Sequence, residues 1–115
     1  MNEIQQITEK IKKFRDERDW KQFHNHKDVA LSLVLEATEV LEHFQWKKPE
    51  EVEAHAAACK DDIADELADV AIYLLELADN LEIDLPKAIE GKIKKNGLKY
   101  PVEKSKGSIT KYTKL

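Results

Sequence analysis

Glycine and proline are scarce in this chain, with three of each in 115 residues. Tight turns depend on both, so a loop-rich or all-β fold is disfavoured. Only one cysteine is present, Cys59, which rules out an internal disulfide and suits a reducing compartment. No run of 18 apolar residues occurs, so no segment is expected to span a membrane. The first ten residues, Met1 to Lys10, lack the apolar centre of a signal peptide, and the expectation is a soluble, cytoplasmic protein. Positive charge is not in excess: 19 Lys and Arg face 23 Asp and Glu, for a net charge of −4. No global basic field draws the chain to a nucleic acid polymer or an anionic membrane. What remains is 42% hydrophobic and 37% charged residues, the balance of amphipathic helices with solvated faces. The length predicts one domain, residues 1–115.

Apolar periodicity predicts an all-α protein. Ile4, Ile7, Ile11 and Phe14 recur every three or four residues, giving a first helix from residue 3 to about 19. Asp28 is the expected N-cap of a second, roughly 29–44, which the approach of Pro49 ends. An Ala- and Glu-rich helical stretch, 50–59, leads into the longest apolar pattern, about 62–81. Asp84 is expected to cap a last helix, with Pro86 in its first turn and Gly97 just past its end. The spacing therefore predicts a four-helix, bundle-like core over 1–97 and a basic, irregular tail over 98–115.

Acidic residues three apart share a helix face. Eight such pairs occur along the chain, and most acidic pairs are solvated surface. Two differ in their surroundings. Ser32, Glu36, Glu39 and His43 form a narrow strip on the second helix, between Leu31, Leu35, Val29, Leu33, Val40 and Phe44. Asp62, Glu66, Asp69, Tyr73 and Glu76 form another on the third, flanked by Ile63, Val70, Leu77 and Ile72. A helix apolar nearly all round is buried, so these strips are expected to face an interior cleft. Carboxylates gathered there take up protons or bind cations. Oxygen ligands alone favour Mg²⁺ or Mn²⁺. The alternative is a core acid paired with Lys or Arg, although His43 is the only basic residue in either strip. A di-iron bundle needs Glu-x-x-His motifs, and Glu36 and Glu66 are followed at the third position by Glu39 and Asp69. That directs the site toward magnesium and phosphate chemistry.

The arrangement Glu36-Ala37-Thr38-Glu39, 26 residues, then Glu66-Leu67-Ala68-Asp69 resembles the ExxE…ExxD signature of the MazG-like all-α nucleoside triphosphate pyrophosphohydrolases, relatives of the dimeric dUTPases. Phe14-Arg15-Asp16-Glu17-Arg18-Asp19-Trp20-Lys21-Gln22-Phe23-His24 is similar to the opening of the dCTP pyrophosphatase branch, and Glu42-His43-Phe44-Gln45-Trp46-Lys47 to the end of its second helix. Its C-terminal segment is resembled by Asp84-Leu85-Pro86-Lys87-Ala88, Lys92 with Asn96, Lys99-Tyr100-Pro101-Val102 and Lys111-Tyr112-Thr113. The resemblance implies cleavage of a nucleoside triphosphate between its α- and β-phosphates, releasing a monophosphate and pyrophosphate. It implies Glu36, Glu39, Glu66 and Asp69 as metal ligands. Glu39 is taken as the general base, although nothing in the sequence separates it from Glu36. It also implies a homodimer or homotetramer.

Aromatic faces hold nucleobases well. In this family context Trp20 and Trp46 are candidate base-pocket residues, beside Phe23 or His24; in isolation each Trp would read as core. His24 is a candidate reader of the base edge. Tyr73, on the acidic strip, is placed to meet the sugar or a phosphate. Lys92 and Asn96 are candidate phosphate- or sugar-side contacts, joined by Lys111 and Tyr112, with Arg15, Arg18 and Lys99 as further positive charge. His55 and Cys59 suggest no zinc site, since nothing completes a ligand set. The readings to separate are thus a Mg²⁺-dependent pyrophosphohydrolase acting on dCTP or a modified dCTP in nucleotide-pool cleaning, a non-catalytic helical interaction module, and a metal-storage or redox bundle.

Overall fold

The structure is a computed structural model describing residues 1–115. It is all-helical: α1 (Glu3–Glu17), a 3₁₀ turn (Lys21–Phe23), α2 (His26–Glu42), α3 (Pro49–Ala58), α4 (Lys60–Asn80), α5 (Leu85–Lys99), α6 (Val102–Ser105) and a 3₁₀ turn at Tyr112–Lys114. None of the helices is long and apolar enough to cross a membrane. Contacts group the chain into two compact units, Met1–Glu82 and Ile83–Leu115.

Local chemistry explains where each helix begins and ends. Asn2 and Gln5 exchange side-chain and backbone hydrogen bonds of 2.8 Å each in a capping box that starts α1. The helix ends with Asp19 in the left-handed region, φ 55°. There the Trp20 N–H donates to the Arg15 carbonyl and the Asp19 N–H to that of Asp16, which satisfies two terminal carbonyls. This turn sets the direction of the segment that carries Trp20 and His24. The start of α2 differs from expectation. Asn25, not Asp28, is its N-cap, accepting from the Asp28 N–H at 2.9 Å, and Asp28 instead sits in the first turn, where its charge suits the helix dipole. Pro49 opens α3, as a proline with no N–H to satisfy can. Cys59 separates α3 from α4. Asp84 caps α5 as expected, accepting from the Lys87 N–H. That helix runs through Gly97 to Lys99, because glycine inside a helix costs only about 1 kcal/mol relative to alanine.

Within the first unit, α2 and α4 form the principal pair, and α1 and α3 also pack against α4. The apolar interior is thin, with only Val29, Leu75 and Ala78 buried. The interior burial predicted for the apolar flanks of α2 and α4 is therefore met only in part within one chain, fully at Val29 and partly at Leu33, Val40, Phe44, Ile63, Val70 and Leu77. Leu31, Val34, Leu35 and Leu41 on α2 stay exposed, as do Leu67, Ile72 and Leu74 on α4. Two paired helices cannot cover each other on every side.

Candidate functional site: a carboxylate cluster on α2 and α4

Successive turns of α2 carry Glu36 and Glu39, and successive turns of α4 carry Glu66 and Asp69. Glu36 and Glu66 are half-buried, while Glu39 and Asp69 are exposed. Their proximity is felt electrostatically. Burial, and then the charges of Glu39 and Asp69, push the Glu36 carboxyl above its ordinary range, with Glu66 adding to the effect. Tyr73 lies one turn beyond Asp69 and is also pushed up, first by burial and then by Glu36, Asp69 and Glu76, against a hydrogen bond from Ser32. The two strips thus meet along Glu36, Glu66, Asp69 and Tyr73.

The only basic group against the four acids is His43. Its Nε2 lies 2.5 Å from Glu66 Oε2, yet that fully shielded oxygen has no aligned hydrogen bond. His43 Nδ1 is 2.7 Å from His55 Nε2, and His55 Nδ1 is 3.7 Å from the Cys59 sulfur. Burial, followed by Lys47 and His43, holds His55 below the ordinary imidazole range. No three acidic, histidine or cysteine side chains are arranged here so that they could hold a metal ion. The donor chemistry nevertheless fits a hard divalent cation: four carboxylates, with His43 at Glu66 as their one basic neighbour and no Lys or Arg against them.

Further along the same face of α4 the acid is treated differently. Glu76 is 2% exposed. Its Oε1 accepts from Arg15 Nη1 at 3.3 Å and lies 2.7 Å from His24 Nδ1. Arg15 also donates to Asn80 at 3.4 Å and to Asp16 at 2.9 Å. Two expectations are corrected here. Arg15, considered as a free positive charge for phosphate, is 4% exposed and committed to this network. Glu76, placed on the acidic strip without a basic partner, is the core acid paired with arginine. Nothing local signals this pairing, because the partners are 61 positions apart.

Trp20 and His24 do come together, with ring centroids 6.3 Å apart, and Phe14 meets Trp20 edge-on at 5.9 Å. The Arg18 guanidinium lies 3.6 Å from the Phe14 ring centre, a cation–π contact. Phe23 is exposed and Trp46 is 89% exposed, so neither joins that aromatic group. In the second unit, Lys92 and Asn96 sit one turn apart on α5, both exposed. Tyr112 packs edge-on against Tyr100 at 5.8 Å, with Lys99 Nζ 4.8 Å from its ring centre. Lys111 is exposed beside it.

The MazG-like family profile matches residues 31–115, taking in all four carboxylates. The chain belongs to the MazG-like family. Among relatives of this MazG-like chain, dCTP pyrophosphatase 1 of Rattus norvegicus is 45% identical over 104 residues, which cover 89% of this chain and 61% of that protein. The Homo sapiens dCTP pyrophosphatase 1 is 40% identical over 104 residues, with the same coverage. The MazG-like chain thus spans 61% of the length of these two relatives. A solved pyrophosphatase from Archaeoglobus fulgidus superposes with a TM-score of 0.83 at 36% identity, covering 88% of this chain and 94% of that one.

Proposed function

We propose that this chain is a Mg²⁺-dependent nucleoside triphosphate pyrophosphohydrolase that cleaves dCTP, or a modified dCTP, to the monophosphate and pyrophosphate. The observation that carries the reading is the set of four carboxylates on paired helices with no Lys or Arg to balance them. Relatives named dCTP pyrophosphatase support the substrate class, and a pyrophosphatase of the same fold supports the reaction class.

Glu36, Glu39, Glu66 and Asp69 would hold the metal. When bound, Mg²⁺ supplies charge neutralisation at the phosphates and polarises water; Mn²⁺ offers the same oxygen-seeking chemistry. Glu39 and Glu36 are the two candidates for taking the water's proton. His43 steadies Glu66, as partners behind metal ligands do. Tyr73 is assigned to the sugar or a phosphate. Trp20 and Trp46 are assigned to stacking on the base and His24 to reading its edge. Lys92, Asn96, Lys111 and Tyr112 are assigned to the triphosphate and sugar. In this reading residues 1–115 act as one catalytic domain in the cytoplasm, clearing unwanted nucleotides.

The active form is a homo-oligomer, a dimer or a tetramer of two such dimers. Leucines 52–56% exposed on α2 would each gain roughly half of the about 1.5–3 kcal/mol of a complete burial if covered, and a second copy presents the same apolar surface. Light scattering at micromolar concentration should find no monomer.

Pyrophosphate release from a panel of common, methylated and halogenated deoxynucleotides with Mg²⁺ tests the reading. Turnover of cytosine nucleotides is expected. Silence across the panel would point to the interaction module, and bound iron with a visible chromophore to the redox bundle.

A further inference from the structure

The network around Glu76 has no part in holding metal, yet it contains the most deeply buried acid of the chain. Glu76 and Arg15 are 2% and 4% exposed. Burying such a pair gains little stability over apolar residues of similar volume, so its value lies in what it orients. The third member is His24, with a side chain 21% exposed and packed beside Trp20.

From the geometry we infer that Glu76, held by Arg15, is a positioning residue that locks His24 in the Nδ1–H tautomer, so that its bare Nε2 accepts a hydrogen bond from the exocyclic amine of the substrate base. This rests on the pyrophosphohydrolase reading and names the feature of the substrate that the site selects.

A carboxylate oxygen 2.7 Å from a ring nitrogen accepts a hydrogen from it. Nδ1 therefore carries the proton. The same Oε1 already accepts from the Arg15 guanidinium, whose permanent charge balances that of Glu76, so the site needs a donor from His24 and no second cation. With Nδ1 protonated, the neutral ring has only Nε2 left, and it is an acceptor. An acceptor matches the amine donor of cytosine and opposes the carbonyl oxygen that uracil or thymine presents at the same position. Placement agrees. Glu76 lies two turns along α4 from Asp69, about 10 Å at 1.5 Å per residue, the reach from a nucleotide's α-phosphate to the far edge of its base. Tyr73 lies between them.

Two measurements on the full chain test this. Long-range ¹H–¹⁵N correlation spectra of the wild-type protein at neutral pH report the His24 tautomer directly and need no variant. The inference expects a protonated Nδ1 and a bare Nε2. A protonated Nε2, alone or in an imidazolium, overturns it. In Glu76→Gln, the side-chain amide can donate to Nδ1 and move the proton to Nε2. The kcat/KM preference for dCTP over dUTP should then fall by about tenfold or more, through KM rather than kcat, since the carboxylate cluster is untouched. A folded Glu76→Gln enzyme with unchanged preference overturns the inference while leaving the reaction in place. If the wild type hydrolyses no nucleotide, the pyrophosphohydrolase reading fails, and the selective role of His24 with it. A destabilised Glu76→Gln leaves the wild-type spectrum to decide.

Discussion

Two stretches of one face of α4 hold acids of the same kind in opposite states. Around Glu66 and Asp69, four carboxylates share a partly open site with no Lys or Arg, and burial followed by its acidic neighbours pushes the Glu36 carboxyl above its ordinary range. Two turns on, Glu76 is sealed from water and satisfied by Arg15 and His24. The first arrangement is poor for a metal-free protein and good for a cation. The second is complete in itself and fixes a side chain. The comparison teaches that an acid's task is set by the charges facing it from other helices, not by its position on its own.

Charge-neutral substitution should separate the two stretches most sharply. Asp69→Asn or Glu36→Gln is expected to cut pyrophosphate release by more than about 100-fold, the ceiling for partners lying behind metal ligands, with an unchanged helical circular dichroism spectrum. Wild-type activity in either variant would remove the carboxylates from the reaction. Charge imbalance at the Glu76 end should show in stability. Arg15→Met leaves a buried, unbalanced carboxylate and should cost about 3–5 kcal/mol in denaturant unfolding. Adding Glu76→Leu to it should recover much of that loss, because an apolar pair needs no compensation.

Smaller effects follow from titration and capping. Because the folded chain raises the proton affinity of Glu36, that group adds stability below the ordinary carboxylate pKa. The contribution is lost as pH rises through the raised value. Magnesium competes with those protons, so its stabilisation should be absent near about pH 4. It should reach about 2.7 kcal/mol at neutral pH when the ion is at 100 times its Kd. Thermal unfolding with and without Mg²⁺ checks both the sign and the window. Asn25→Ala should cost about 1 kcal/mol by uncapping α2, and Asp28→Ala less.

The sequence was informative wherever the controlling contact is local. Apolar flanks singled out Glu36, Glu39, Glu66 and Asp69 as candidates from eight acidic pairs, and burial, then the neighbouring Glu39, Asp69 and Glu66, push the Glu36 carboxyl upward. Asp84 as the cap of α5 was legible for the same reason, since its partner is three residues away. Where neighbouring residues compete, local signals mislead. Asn25 and Asp28 are both able caps, and an Asp also suits the first turn. Gly97 lies within α5, not beyond it. Pairings between distant segments were invisible: Arg15 with Glu76, His24 with Glu76, and His43 with Glu66 depend on how helices meet. The exposed leucines of α2 mark the other boundary, because the pattern of a buried helix does not say which chain buries it.

The most direct test of the central claim is to identify the products formed from dCTP by the purified chain with Mg²⁺, resolved by anion-exchange chromatography. The account predicts dCMP and pyrophosphate in equal amounts, and neither when Asp69 is replaced by Asn. Formation of dCDP and phosphate, or no reaction under any divalent cation, would contradict it.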